Sequence, residues 1–189
     1  MTTLFGIIGS LLLISGDLLY VRGVLRKELK PHAFSWLVWG TLNIIAFAAQ
    51  IAKDAGPGAW VTGINSISCL LIFIGALKWG DRRFLRFDWI ALSAAAFSLL
   101  LWILTKEPLA SIVLIVLVDF FGSLPTFRKG YHYPHEEKVL SYAFAAIAHV
   151  FALLALDTIV PSTWLYPAAI VLLDGSLSVL LLIRRKQLT

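Results

Sequence analysis

Apolar runs of about twenty residues, cut by short polar loops, dominate the pattern of this 189-residue chain. Seven can be drawn, at about 3–24, 33–52, 59–79, 87–105, 108–127, 139–156 and 163–183. A helix rises about 1.5 Å per residue, so about 20 residues cross the roughly 30 Å hydrocarbon core of a bilayer. The pattern predicts an all-α membrane protein with seven transmembrane helices. The sixth run is short and the fifth carries Pro125 near its inner end, but charges, Gly or Pro bound each run.

Composition narrows the class. With 59% hydrophobic and 14% charged residues and a mean hydropathy of +0.86, a soluble domain of this size is excluded. The net charge of +5 does not point to nucleic acid, because the basic residues are dispersed through loops and answer to membrane topology instead. Fourteen of the 16 basic residues fall on one side: Arg22, Arg26, Lys27 and Lys30; Lys78, Arg82, Arg83 and Arg86; Arg128, Lys129 and Lys138; Arg184, Arg185 and Lys186. Only Lys53 and Lys106 lie opposite. The positive-inside rule then expects the N-terminus outside and the C-terminus in the cytoplasm, in the cell (inner) membrane. The first run lacks a basic leader and a small-residue cleavage site, and is expected to be a retained span. Trp36, Trp39, Trp60, Trp79, Trp89, Trp102 and Trp164 fall near span ends, as expected of rings at the lipid interface. Cys69 is the only cysteine, so no intrachain disulfide forms and no zinc or redox motif can be built on it.

The halves of the chain repeat each other. Asp17 and Asp119 are 102 apart, as are Arg26-Lys27 and Arg128-Lys129; Pro31 and Pro134 are 103 apart; Pro57 and Pro161, like Trp60 and Trp164, are 104 apart. The offset drifts by single residues, as loop insertions require. Spans 1 to 3 and 5 to 7 are therefore expected to be copies of one three-helix unit. Span 4 supplies the inversion that leaves both copies the same way up. The predicted organisation is a first repeat at 1–84, a linker helix at 85–106 and a second repeat at 107–189.

This layout resembles the SWEET sugar transporters and the wider PQ-loop group, over nearly the whole chain. The resemblance implies alternating access around a midplane site between two parallel three-helix bundles, and allows a homodimer or homotrimer. The family's Pro-Gln pair is absent: the region reads Gly16-Asp17-Leu18-Leu19-Tyr20 in one copy and Asp119-Phe120-Phe121-Gly122-Ser123-Leu124-Pro125 in the other, with Pro125 standing in as a hinge. SWEET-like proteins place an asparagine on the third helix of each repeat. Asn65 looks like the first, and Asp174 is the nearest match to the second, at an offset of 109 rather than 104.

The polar residues within spans carry the candidate chemistry. A carboxylate at a helix centre costs about 2.5 to 3.5 kcal/mol on insertion scales, so it marks a protein interior or a wet path. Asp174, in the middle of span 7, is expected to contact solute or carry a proton. Asp17 and Asp119 occupy matching places on the first helices. They either pair with inner cations such as Arg22 or Arg26, or line the pathway and bind a proton or cation. Asn43 and His149 fall at mid-depth on the second helices, each a cavity candidate or a bond between helices. Asn65, with Ser66 and Ser68, is a substrate-binding candidate on span 3. Gln50, near an outer end, is expected to be solvated. Small residues such as Gly40 and the cluster Ala143, Ala145, Ala146 and Ala148 allow close helix approach, and Pro167 either kinks span 7 or gates it.

Several chemistries are absent from the sequence. Span 7 lacks the lysine of a retinal pigment, no His-Glu-x-x-His stretch is present, and Asp17 and Asp119 lack the Gly-x-Gly-Asp setting of an intramembrane aspartyl protease. No enzyme, cofactor or metal is expected. The expectation is a carrier of a small polar or cationic solute (a sugar, amino acid or vitamin), either passive or proton-coupled through its buried aspartates. The alternative is a seven-helix receptor binding a ligand or peptide in the same cavity. Expected partners are the solute, the lipid bilayer and further copies of the chain.

Overall fold

A computed structural model describes residues 1–82 and 86–188. Arg83, and the boundary drawn between 84 and 85, lie outside the described residues. Among these the fold is seven helices: α1 Thr2–Leu25, α2 Ala33–Ala52, α3 Ala59–Trp79, α4 Arg86–Thr105, α5 Pro108–His132, α6 Val139–Leu154 and α7 Pro161–Gln187. Short 3₁₀ turns at Gly56–Gly58 and Pro134–Glu136 join α2 to α3 and α5 to α6. Prolines start α5 and α7, where the missing N–H is one the first turn does not need. Among the described residues five helices are long and apolar enough to cross a membrane, and α6 is shorter. The 16 residues of α6 reach about 24 Å. α5 continues past position 125 to His132, beyond the end of its apolar run.

Outward faces are hydrocarbon. Leu4, Leu11, Leu18 and Leu25 form a seven-residue stripe along α1, each 59 to 64% exposed. On the opposite side of the same helix Gly6, Gly9, Leu13, Gly16, Tyr20 and Gly23 are buried. Ile67, Leu71 and Ile74 on α3, and Leu172, Val179 and Leu182 on α7, are exposed likewise. An apolar band of this extent suits lipid rather than water.

α3 packs against both α1 and α2, and α7 packs against both α5 and α6. The two triplets meet where α1 lies along α6 and α2 along α5, while α4 leans on α5 and α2. Chain directions follow from which ends touch. Gly6 faces Pro57 and Trp60 at the start of α3, and Tyr20 clusters with Ile72 farther along, so α1 and α3 run parallel. Gly130 lies against Leu177 and Leu181, and Arg184 Nε donates to the Tyr131 carbonyl at 2.9 Å, so α5 and α7 run parallel too. Val139, opening α6, packs on Leu177 and Leu181 near the end of α7, and is therefore antiparallel to it. α6 is also antiparallel to α1, because Gly9 meets Ala148 and Phe151 while Gly16 meets Ser141 and Phe144. All four odd-numbered helices thus share one direction.

Close approach of α1 to α6 depends on glycine. A Cβ on Gly9 would stand 2.8 Å from Val61 Cγ2 and 2.9 Å from the Ala148 carbonyl oxygen, distances that no packed side chain adopts. The Ser141 hydroxyl then reaches the Gly16 carbonyl at 3.0 Å. Two apolar clusters lie toward the end bearing the α2–α3 and α6–α7 loops. One joins Leu42, Ala46, Ile112, Ile115, Tyr166 and Ile170 from α2, α5 and α7; the other joins Leu13, Val61, Ala148 and Ala152 from α1, α3 and α6.

Candidate functional site

Between the triplets lies a cavity of about 90 Å³ of water-sized space, enough for several waters or a small solute. It is lined by Asp17 on α1, Asn43 on α2, Asn65 on α3, Asp119 on α5 and Asp174 on α7. Asp174 lies 13 residues from either end of α7, about 20 Å from each. Turned to lipid, three carboxylates would together cost about 8 to 10 kcal/mol. Here they face one cavity, and Asp174 interacts electrostatically with both Asp119 and Asp17.

Each side chain has a definite setting. Asp17 accepts a hydrogen bond from Ser68, and its Oδ2 has no partner. No ion pair joins it to Arg22 or Arg26 among the described residues. Asp119 is 4% exposed; it accepts a hydrogen bond from Trp39, while its own Oδ2 has none. Asn43 Nδ2 donates to the Trp39 carbonyl at 2.9 Å. Asn65 Nδ2 donates to Asn43 Oδ1 at 3.1 Å, and Cys69 Sγ lies 3.7 Å from Asn65 Oδ1. The two amides thereby tie α2 to α3 and present a polar wall to the carboxyls.

Of the predicted site residues, Asn43, Asn65, Asp17, Asp119 and Asp174 come together around the cavity, and Ser68 touches it through Asp17. His149 does not reach it. It is fully buried, one turn beyond Ala145, the cavity-lining residue of α6 nearest to it. Its Nδ1 donates to the Ala145 carbonyl at 2.8 Å. Gln50 departs from expectation as well. Rather than being solvated, it is fully buried, with Nε2 donating 3.0 Å to the Thr163 carbonyl on α7. Pro167, four residues on, has no N–H to give that carbonyl. Gln50 therefore supplies, from the other triplet, the bond that the proline removes.

Aromatic residues are what the sequence reading missed. Trp36 and Trp39 line the cavity together with Tyr20, Phe127, Tyr142 and Tyr166, not the lipid interface. Tyr20 and Trp36 pack tilted at 4.8 Å between centroids, and Trp36 meets Trp39 edge-on at 5.3 Å. Tyr166 is 1% exposed and its hydroxyl is without a partner. Trp60, Trp79, Trp89 and Trp164 do stand outward on helix ends.

Toward the basic end, the cavity opens into a vestibule of about 480 Å³ that shares Tyr20, Trp36, Trp39, Thr126 and Tyr142 with it and adds Lys30, Asp81, Lys129, Glu136 and Glu137. Glu137 organises one side: Lys129 Nζ lies 2.9 Å from Oε1, the Tyr142 hydroxyl donates to Oε2 at 2.8 Å, and Arg185 donates to its carbonyl at 2.6 Å. Across the mouth the triplets are tied by the exposed pair Lys138–Glu28 at 3.3 Å, a type worth at most about 1 kcal/mol.

At the far end the triplets touch through the loops that join α2 to α3 and α6 to α7. The Asp157 N–H donates to the Ala55 carbonyl at 3.1 Å, Gly58 lies under Leu156, and Gly56 adopts φ +62 where a Cβ would fall on the Asp157 carboxyl. With the Gln50–Thr163 bond and the two apolar clusters, these contacts pack the triplets together at that end. No protein-family model, curated protein or solved structure matches the chain.

Proposed function

We propose that the chain is a carrier of small polar or cationic solutes, working by alternating access between two parallel three-helix repeats, α1–α3 and α5–α7, with α4 as the linker. One observation carries the reading: the matched carboxyls of Asp17 and Asp119, with Asp174, meet in a cavity between the triplets that is open to the basic end and shut at the other. A receptor pocket needs no second, sealed route through the bilayer.

The packing supports the repeats. Exchanging α1 with α5, α2 with α6 and α3 with α7 turns the contact of α1 with α6 into that of α5 with α2. The same exchange turns one apolar cluster, from α1, α3 and α6, into the α5, α7 and α2 part of the other, which also takes in Ala91 and Ala95 of α4. In this reading the basic end faces the cytoplasm and the form described is inward-open. The triplets rock about the cavity, separating the Gln50–Thr163 and Ala55–Asp157 contacts as the basic mouth closes.

Uptake of labelled solutes into proteoliposomes, with and without an imposed pH gradient, tests the proposal. We expect saturable uptake that an inward proton gradient alters. Asp174→Asn should remove the gradient dependence and spare solute exchange, if Asp174 carries the proton. Unchanged coupling in this variant would reject that role. Saturable binding with no flux would favour the receptor alternative.

A further inference from the structure

We propose that the cavity binds a small organic cation, an ammonium compound without a carboxylate or phosphate, seated against aromatic rings and neutralised by Asp17, Asp119 and Asp174. As an assignment of substrate it rests on the carrier reading; as an assignment of ligand it stands by itself.

The sign of the site comes first. Three carboxyls line the cavity, and among the described residues no Lys, Arg or His side chain does. An anion or a zwitterion would set its carboxylate among like charges in a space too narrow for water to screen them. Besides Asp17 Oδ2, two buried polar atoms are without a partner: Asp119 Oδ2, on a residue 4% exposed, and the Tyr166 hydroxyl, on a residue 1% exposed. Both residues line the cavity.

Chemistry then separates an organic cation from a bare ion. Among the described residues no three His, Cys, Asp or Glu side chains converge to hold a metal, so the carboxyls surround the space without closing to chelating distance. Between them stand the rings of Tyr20, Trp36, Trp39, Phe127, Tyr142 and Tyr166. Ring faces attract alkylammonium groups, and more strongly where water is excluded. The Asn43–Asn65 amide pair offers polar atoms to a hydroxyl on such a molecule. The vestibule does not favour anions, because Lys30 and Lys129 face Asp81, Glu136 and Glu137 there, and Lys129 is held by Glu136 at 3.7 Å and Glu137 at 2.9 Å.

Choline and its uncharged carbon analogue, 3,3-dimethyl-1-butanol, differ by one charge in nearly the same shape. We would titrate each, with acetate as an anion control, into the purified full chain and read tryptophan fluorescence, which Trp36 and Trp39 report from the cavity wall. Flux of the same compounds into proteoliposomes would be followed in parallel. Choline should bind at least tenfold more tightly than its carbon analogue, and Asp17→Asn should lower that ratio severalfold while thermal unfolding shows the variant folded. Should Asp17→Asn fail to fold, Trp36→Phe in its place should weaken choline severalfold more than it weakens the carbon analogue. Equal binding of choline and its analogue, or preference for acetate, would overturn the proposal. Selective choline binding without flux would uphold the ligand and refute the carrier. Flux of uncharged solutes without choline binding would do the reverse.

Discussion

Asp119→Asn is expected to lower choline uptake at least tenfold while leaving the fold intact. An asparagine has nearly the same shape and keeps an oxygen to accept from the Trp39 indole, so packing around α5 is preserved. What it removes is a charge at a site 4% exposed, facing a cavity without a basic side chain. A pair of unit charges about 4 Å apart is worth about 4 kcal/mol at an effective dielectric of about 20. Even one third of that, about 1.4 kcal/mol, is a factor of ten. Asp17→Asn should do less, because Asp17 is only half-buried and shares its charge with the Ser68 hydroxyl. Initial rates in proteoliposomes, alongside thermal unfolding of the same preparations, measure this. Wild-type uptake by Asp119→Asn would remove Asp119 from the site.

Gln50→Leu is expected to shift the proposed carrier toward its outward-open form by about five- to 150-fold. The Thr163 carbonyl lies at a buried end of α7 and has no helical partner because Pro167 cannot donate. Losing the Gln50 bond leaves that carbonyl unsatisfied, a cost of about 1 to 3 kcal/mol paid only by the sealed form, since water reaches it once the end opens. Labelling of Ser162→Cys by a membrane-impermeant thiol reagent, applied at the end opposite the basic loops, should accelerate accordingly. Adding Pro167→Ala supplies an N–H within α7 and should reverse most of the effect. Labelling that ignores both substitutions would show that Gln50 is not a latch.

How much of this was legible depends on what a residue costs in lipid. Twenty-residue apolar runs fixed the helices, since nothing else satisfies backbone polar groups there. The extension of α5 through Arg128–His132 was hidden, because its polar tail lies beyond the apolar run. Asp17, Asp119, Asp174, Asn43 and Asn65 stood out because a polar side chain in a span needs a reason. The rings of Trp36, Trp39, Tyr20, Tyr142 and Tyr166 did not, since an aromatic suits the lipid interface as well as a cavity wall. Spacing held the missing signal: Trp36, Trp39, Asn43 and Gln50 follow one another at i, i+3, i+7 and i+14, one face of α2. That stripe places Gln50 inward, against its apparent place at a solvated end. The same logic applied to Tyr142 and His149, seven apart on α6, carries too far. At the level of His149, α1 closes on α6 through Gly9 and Ala148, and the cavity has ended.

The central claim is a wet, charged space between helix triplets, reached from the basic end alone, and cysteine accessibility measures it. In a Cys69→Ser background, Ser123→Cys, on the cavity wall, should react with a charged, impermeant thiol reagent from the basic side and be protected from the other. Leu117→Cys, facing outward on the same helix at 48% exposure, should stay unmodified in the bilayer. If Ser123→Cys reacted no faster than Leu117→Cys, or equally from both sides, there would be no such cavity and no carrier built on it.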